Sequence, residues 1–142
     1  MSKRLPEIFL FDVFIAGLKI KNVSKNFKNA NELKENFVYW DSVIREFEII
    51  GEATKNLINL GVLSDNYKDI VDFRNVLIHE YFGIDEEEVW GIIYNHLDNY
   101  LEIIKRKIEH ISKEKKAELI KLFKEENKHI DFIIKELNNL EV

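Results

Sequence analysis

The chain has 142 residues, of which 46% are hydrophobic and 33% are charged, and its formal net charge is −5. This length suits one domain with a modest core, and the composition is typical of a folded protein rather than a disordered one. The absence of cysteine excludes a disulfide framework, a thiolate nucleophile and thiolate-ligated zinc. It fits a reducing compartment, and we expect a cytoplasmic protein.

The acidic charge limits how the chain could bind nucleic acid. Phosphate binding usually needs a basic face, so any nucleic-acid site has to be local or shared between subunits. The apolar run near the N-terminus is interrupted by Glu7, Asp12, Gly17 and Lys19. It therefore predicts the first helix of a soluble protein, not a signal sequence or a membrane span.

Apolar residues recur at spacings of three and four along most of the chain, which predicts an all-α helical bundle. We expect four main helices, over about residues 5–23, 31–60, 65–82 and 85–108. A further helix is expected over about 117–140, after the charged stretch 112–117. The predicted units are therefore a bundle over 1–112 and a C-terminal helical extension over 113–142. The polar middle of this extension leaves open whether it folds back on the bundle or projects into a partner.

Local signals mark the ends of these helices. Asn29 followed by Glu32 resembles a capping pair, and Asp85-Glu-Glu-Glu88 predicts a capping box with acidic residues in the first turn. Gly61 is a natural stop for the second helix. Gly83 is expected in the left-handed conformation after the third.

Gly51 lies in the middle of the second predicted helix, where glycine costs about 1 kcal/mol relative to alanine. Its simplest explanation is the close approach of another helix. The neighbouring charged residues Arg45, Glu46, Glu48 and Glu52 are most simply a solvated face. A contact between one of them and a functional site is the less favoured alternative.

Four polar side chains interrupt the apolar segment Asp72–Gly83, and they are Arg74, Asn75, His79 and Tyr81. On an ideal helix Arg74 and Tyr81 nearly eclipse each other, whereas His79 lies about 140° around from Arg74. These side chains can line one groove if the helix end unwinds near His79, or if a second subunit supplies the opposing wall.

An arginine, an imidazole and a phenol beside a groove suit phosphoryl chemistry on RNA. Arginine can hold a phosphate bidentately and stabilise a pentacovalent transition state. Histidine can take a proton from a ribose 2′-hydroxyl, which makes a metal ion unnecessary. In the structural alternative, Arg74 pairs with Asp72 or another acid, while His79 and Tyr81 cap the helix end. No glycine-rich phosphate loop and no histidine pair with metal-ligand spacing is present in the sequence.

The same residues carry a family resemblance. The pattern Arg74-(four residues)-His79-x-Tyr81 resembles the R-x4–6-H-x-Y signature of the HEPN superfamily. The string Arg74-Asn-Val-Leu-Ile-His-Glu-Tyr-Phe-Gly-Ile-Asp85 is similar to its HepT toxin branch. Ile44-Arg-Glu-Phe-Glu-Ile-Ile-Gly-Glu-Ala53 and Val89-Trp-Gly-Ile-Ile93 fit the second and last core helices of that family. The resemblance covers about residues 5–110.

The resemblance implies an antiparallel up-and-down bundle that forms a homodimer with both signatures facing a shared cleft. It implies a metal-independent RNA endonuclease toxin of a prokaryotic toxin–antitoxin pair, without a cofactor. The implied catalytic residues are Arg74 and His79, with Asn75 supporting them. The implied partner is an MNT-type nucleotidyltransferase antitoxin that transfers AMP from ATP onto Tyr81. The alternative is a non-catalytic helical module that binds a nucleotidyltransferase or a nucleotide, and the acidic charge favours it.

Overall fold

The structure, a computed structural model, describes residues 5–80 and 83–141, and this part of the chain contains helices but no strand. The predicted all-α class is therefore confirmed. A short 3-10 turn, Asp65–Tyr67, precedes the fourth helix. The α-helices are α1 (Pro6–Ser24), α2 (Ala30–Glu35), α3 (Phe37–Asn59), α4 (Lys68–His79), α5 (Glu86–Asn95), α6 (Leu97–Glu109), α7 (Lys113–Glu126) and α8 (Asp131–Leu140).

Several predicted helix ends are confirmed. The Asn29 side chain accepts a hydrogen bond from the Glu32 amide at 2.8 Å, which caps α2. Asp85 also caps α5, but its side chain accepts from the Glu87 amide at 2.9 Å and not from the Glu88 amide, so the predicted capping box is not formed. Gly61 follows α3 with a φ of 76°, the left-handed conformation that glycine adopts without a steric penalty.

Other boundaries differ from the prediction. The second predicted helix is divided at Asn36, whose φ and ψ are −100° and 84°, and the fourth is divided at His96. The apolar spacing continues on both sides of each break, so the spacing alone does not predict where the helices end. The left-handed conformation predicted for Gly83 is wrong. Among the described residues only Gly61 has a positive φ, and the Gly83 amide donates to the Glu80 carbonyl at 2.7 Å in a turn.

Helix α3 lies at the centre of the bundle and packs against α1, α2 and α4, while α1 also packs against α6. The buried surfaces of these helices form one continuous hydrophobic core. A polar pair lies within it, because the Thr54 and Tyr100 hydroxyls are 2.6 Å apart and both residues are buried. Burial raises the pKa of the Tyr100 phenol. No helix in the described part is long and apolar enough to cross a membrane.

The C-terminal segment folds back on the bundle. Phe123 of α7 stacks on Phe11 of α1 with ring centroids 5.1 Å apart, and both rings are buried. Lys115 forms an ion pair with Glu7 at 3.1 Å. Helix α8 packs against α7 and buries Ile133, among others. The open question about the direction of this segment is thus answered, whereas the division into 1–112 and 113–142 stays a prediction.

Candidate functional site

Arg74 lies on the face of α4 that packs against α3. Opposite it on α3 is Gly51, and a Cβ atom built on Gly51 would lie only 2.1 Å from the Arg74 Cβ. The two helices can approach this closely because position 51 has no side chain. The prediction that Gly51 marks the close approach of another helix is confirmed, and the residue that approaches it is the candidate catalytic arginine.

Two side chains hold the Arg74 guanidinium. Its Nη2 is 3.0 Å from Glu52 Oε2, and its Nη1 donates to Asn75 Oδ1 at 3.2 Å. Nε is buried and has no hydrogen-bond partner among the described residues. The Arg74 side chain is 25% exposed and Glu52 is 51% exposed. Ion pairs at such exposure are weak, so a phosphate could replace the carboxylate without a large cost in free energy.

A groove of about 260 Å³ runs beside Arg74 between α1, α3 and α4. Its lining includes the arginines Arg45 and Arg74 and the acids Asp12, Glu48 and Glu52. Arg45 contacts Glu48 at 3.5 Å. Among the described lining residues carboxylates therefore outnumber cations, so a phosphate would be held there by geometry and not by a broad positive field.

His79 is the last residue of α4 and is exposed. The helix ends there because Glu80 leaves the helical conformation, although its amide still donates to the Val76 carbonyl at 2.9 Å. His79 lies about 7.5 Å along the axis from Arg74 and about 140° around it on an ideal helix. Unlike Arg74, His79 does not line the groove. One described protomer therefore presents the two side chains on adjacent faces of α4.

The remaining candidate residues are Asn75 and Tyr81. Asn75 is exposed and contacts the Arg74 guanidinium, as given above. Tyr81 lies outside the described residues.

The charged pattern around Glu52 favoured a solvated face, but the less favoured alternative holds for this residue, because its carboxylate lies against Arg74. Arg45, Glu48 and Glu52 recur at helical spacing on the same face of α3, next to Gly51, and this spacing was the available signal. Glu46 differs from them. Burial raises the pKa of its carboxyl, and attraction to Lys19 and Arg45 only partly opposes this effect.

The described part of the chain is an all-α bundle that places Arg74 beside a groove and His79 at the exposed end of the same helix. The family model described as "Ribonuclease HepT-like" matches residues 16–107, which is more than half of the chain. The chain therefore belongs to the HepT-like ribonuclease family.

Relatives in archaea and bacteria carry related names. A Methanocaldococcus jannaschii protein named "Putative RNase MJ1380" is 36% identical over 96 residues, which cover 66% of this chain and 87% of that protein. "Putative RNase MJ0127" of the same organism is 33% identical over 118 residues, covering 80% and 96% respectively. The "mRNA nuclease HepT" of Shewanella oneidensis is 25% identical over 119 residues, covering 63% and 90%. No solved structure gives a significant match.

Proposed function

We propose that the chain is a metal-independent RNA endonuclease and the toxin of a prokaryotic toxin–antitoxin pair, with Arg74 and His79 as its catalytic residues. Membership of the HepT-like ribonuclease family supports the reaction class. The observation that carries the proposal is the position of Arg74. Its Cβ and Cγ lie against Gly51 and its guanidinium pairs with Glu52 beside a groove, yet the side chain stays partly exposed to a ligand.

Arg74 binds the scissile phosphate in this proposal. A guanidinium can donate two parallel hydrogen bonds to phosphate oxygens, and its charge offsets the negative charge that develops in the transition state. Asn75 holds the guanidinium from one side through its Oδ1. Phosphate displaces Glu52 from the other side, and so the arginine is already oriented when RNA enters.

His79 transfers the proton. Its imidazole removes the proton from a ribose 2′-hydroxyl, and the O2′–P bond then forms while the P–O5′ bond breaks. The products are a 2′,3′-cyclic phosphate and a 5′-hydroxyl, and the proton ends on the departing O5′. The nucleophile belongs to the RNA itself, so the reaction needs neither a metal ion nor a cofactor.

A homodimer would bring the Arg74 face of α4 from one copy and the His79 face of α4 from the other into one cleft. Val76 is 39% exposed and lies about 60° around α4 from His79, whereas Ile78 is 38% exposed and lies about 40° from Arg74. When the Val76 side of one copy packs on the Ile78 side of the other, apolar surface is removed from water and the partner's His79 lies opposite Arg74. Val76→Glu should convert the dimer to a monomer in sedimentation velocity, and a parent that is monomeric at all concentrations would contradict this step.

Tyr81 is the regulatory residue in this proposal. A cognate MNT-type nucleotidyltransferase antitoxin transfers AMP from ATP onto its hydroxyl and releases pyrophosphate. The adenylyl group adds bulk and negative charge two residues from His79, which would exclude RNA from the cleft. Intact-mass spectrometry after coexpression with the antitoxin should show one AMP addition on the parent. A Tyr81→Phe protein that still gains this mass would refute the assignment.

Cleavage of RNA by the purified chain tests the central proposal. Arg74→Ala and His79→Ala should each lower the cleavage rate at least roughly 100-fold, because each removes a group that acts in the transition state. His129→Ala is the matched control, since it removes an exposed histidine at a distant position on the chain. Chelation of divalent cations by EDTA should leave the rate unchanged.

The second candidate is a non-catalytic module that binds a nucleotidyltransferase or a nucleotide. The net charge of −5 and the surplus of carboxylates among the described residues of the groove favour it. It predicts that the parent leaves every tested RNA intact, or that the Arg74→Ala and His79→Ala proteins cleave as well as the parent through a contaminating nuclease. Either result would reject the ribonuclease proposal.

A further inference from the structure

A second cavity lies on the other side of α1 from the Arg74 groove. Its volume is about 690 Å³, and it is bounded by the start of α1, the end of α6 and the start of α7. Glu7 and Leu10 of α1 line this cavity, whereas Phe9 and Asp12 line the groove. Residues two apart on a helix point about 200° apart, so the two sites are separate. The volume is in the range of pockets that hold small organic ligands.

The walls of this cavity have two chemical characters. One part is apolar and could cover a flat ring, and it consists of Pro6, Leu10, Val62, Ile103 and Ile111. The other part is cationic and includes Arg106, Lys107 and Lys115. Lys115 is neutralised by Glu7. Arg106 and Lys107 have no acidic partner in the described part of the chain, so they are available to an anion.

Two further groups in the lining can select hydrogen-bond partners. His110 Nδ1 is 2.7 Å from the Arg106 carbonyl, and because a carbonyl only accepts, Nδ1 carries the hydrogen. Nε2 of the neutral ring is then left as an acceptor. Glu7 Oε2 is buried and has no hydrogen-bond donor among the described residues. A buried acceptor without a donor is costly, so a hydroxyl or amino group that reached it after a small rotation would be favoured.

The charge distribution of the sequence agrees with an anion site at this end. Residues 105–128 contain nine Lys and Arg against five Asp and Glu, although the whole chain has 21 against 26. The remaining 118 residues therefore hold 12 cations and 21 acids. A phosphate is attracted toward this segment and repelled by the rest of the surface.

We propose that this cavity binds a nucleoside monophosphate unit, either free or within an RNA strand. The apolar wall covers the base, Arg106 and Lys107 bind the phosphate, and His110 and Glu7 accept hydrogen bonds from sugar hydroxyls or base amino groups. The apolar wall, the two cations and the two hydrogen-bond acceptors thus correspond to the base, the phosphate and the polar groups of the sugar or base. The site is additional to the Arg74–His79 site and does not depend on cleavage.

Titration of the full chain with adenosine 5′-monophosphate tests the proposal by calorimetry. The Arg106→Ala/Lys107→Ala protein should bind it at least roughly tenfold more weakly, because two charged contacts to the phosphate are lost. The Lys113→Ala/Lys121→Ala protein loses the same formal charge from exposed positions on α7 outside the cavity and should bind as the parent does. Adenosine and inorganic phosphate should each bind more weakly than the nucleotide.

The location is tested independently by methyl NMR. Addition of the nucleotide should shift the methyl signals of Ile103 and Ile111 before those of other isoleucines, and circular dichroism should show that both double variants keep their helical content. Equal binding by the two double variants, no binding at millimolar nucleotide, or shifts confined to other positions would overturn the proposal.

A short single-stranded RNA with methylated 2′-hydroxyls distinguishes a free nucleotide from a nucleotide within an RNA strand as the natural ligand. This RNA stays intact during the titration, because it cannot be cleaved through its own 2′-oxygen. If the Arg106→Ala/Lys107→Ala protein loses affinity for this RNA as well, and the mononucleotide competes with it, the natural ligand is an RNA strand. If only mononucleotide binding falls, the ligand is a free nucleotide. A chain that binds the nucleotide here but cleaves no RNA would reject the proposed ribonuclease and leave this site standing.

Discussion

The substitution Gly51→Ala tests how tightly α3 and α4 fix the candidate catalytic arginine. The new methyl group would lie 2.1 Å from the Cβ and 2.6 Å from the Cγ of Arg74. An ordinary Cβ contact begins at 3.4 Å, so Arg74 has to move by about 1.3 Å relative to α3. The Cβ of Arg74 is rigidly joined to the backbone, and a rotamer change cannot supply this movement.

Two opposing effects decide the stability of the Gly51→Ala protein. Alanine gains about 1 kcal/mol over glycine in a helix interior. Forcing extra volume into a packed contact costs about 1–3 kcal/mol, and here the clash involves a backbone-linked atom. A clash cost at the upper end of this range, about 2–3 kcal/mol, less the alanine gain of about 1 kcal/mol leaves an expected net loss of about 1–2 kcal/mol. Displacement of a reacting group by about 1 Å costs roughly 100-fold in rate, so RNA cleavage should fall more steeply than stability.

Urea unfolding and an RNA cleavage assay measure the two effects. Gly91→Ala is the matched control, because Gly91 also lies within a helix but, among the described residues, its new Cβ would meet only Asn95 Nδ2, at 3.8 Å. This control should be stabilised by up to about 1 kcal/mol and should cleave RNA at the parental rate. If Gly51→Ala is as stable as Gly91→Ala, the close approach of Arg74 to Gly51 is not rigid and the reasoning fails.

Three further substitutions probe single contacts. Glu52→Gln should change the free energy of unfolding by less than about 1 kcal/mol, because the ion pair of Glu52 with Arg74 is exposed. It should tighten the binding of 2′-O-methyl RNA in a salt-matched titration. Unchanged affinity would argue against competition between Glu52 and the RNA phosphate for Arg74. Thr54→Val should cost about 1–3 kcal/mol in urea unfolding by leaving the buried Tyr100 hydroxyl unpaired, and adding Tyr100→Phe should recover most of this loss. Burial raises the pKa of Glu46, so its carboxylate destabilises the fold above that pKa. Glu46→Gln should therefore raise the melting temperature at neutral pH, and the gain should shrink as pH falls through the folded pKa and vanish below the unfolded one.

The sequence predicted those features of the fold that are encoded locally. The caps at Asn29 and Asp85 and the stop at Gly61 each depend on one side chain, or its absence, acting on the adjacent backbone. The breaks at Asn36 and His96 were not predictable in this way. The apolar spacing continues through both, and the direction of each new helix is set by what it packs against.

The candidate site was predictable in its residue types and only partly in its arrangement. Gly51 correctly indicated a close approach, but the spacing could not identify Arg74 as the neighbour. Glu52 belongs to a charged face that the pattern alone assigns to solvent, and it becomes a contact only because α4 lies over it. The helical angle between Arg74 and His79 was available from the sequence. It predicted that one straight helix would not bring the two side chains to one point, in agreement with the exposed position of His79 outside the groove.

The C-terminal segment contributes to the core of the bundle, although the family match ends at residue 107. Phe123 stacks on Phe11, and the relative exposures of the two rings are 4% and 0%. Phe123→Ala should therefore cost about 3–5 kcal/mol in urea unfolding, because it removes a buried ring and leaves a cavity against α1. Phe123→Leu, which keeps most of the volume, should cost clearly less. If α7 is only an appendage, Phe123→Ala will change the midpoint of unfolding by no more than an exposed substitution such as Leu122→Ala. That result would favour the division at residue 112 as a true domain boundary. A loss of about 3–5 kcal/mol in unfolding free energy would instead mean that residues 113–141 and the bundle unfold as one unit.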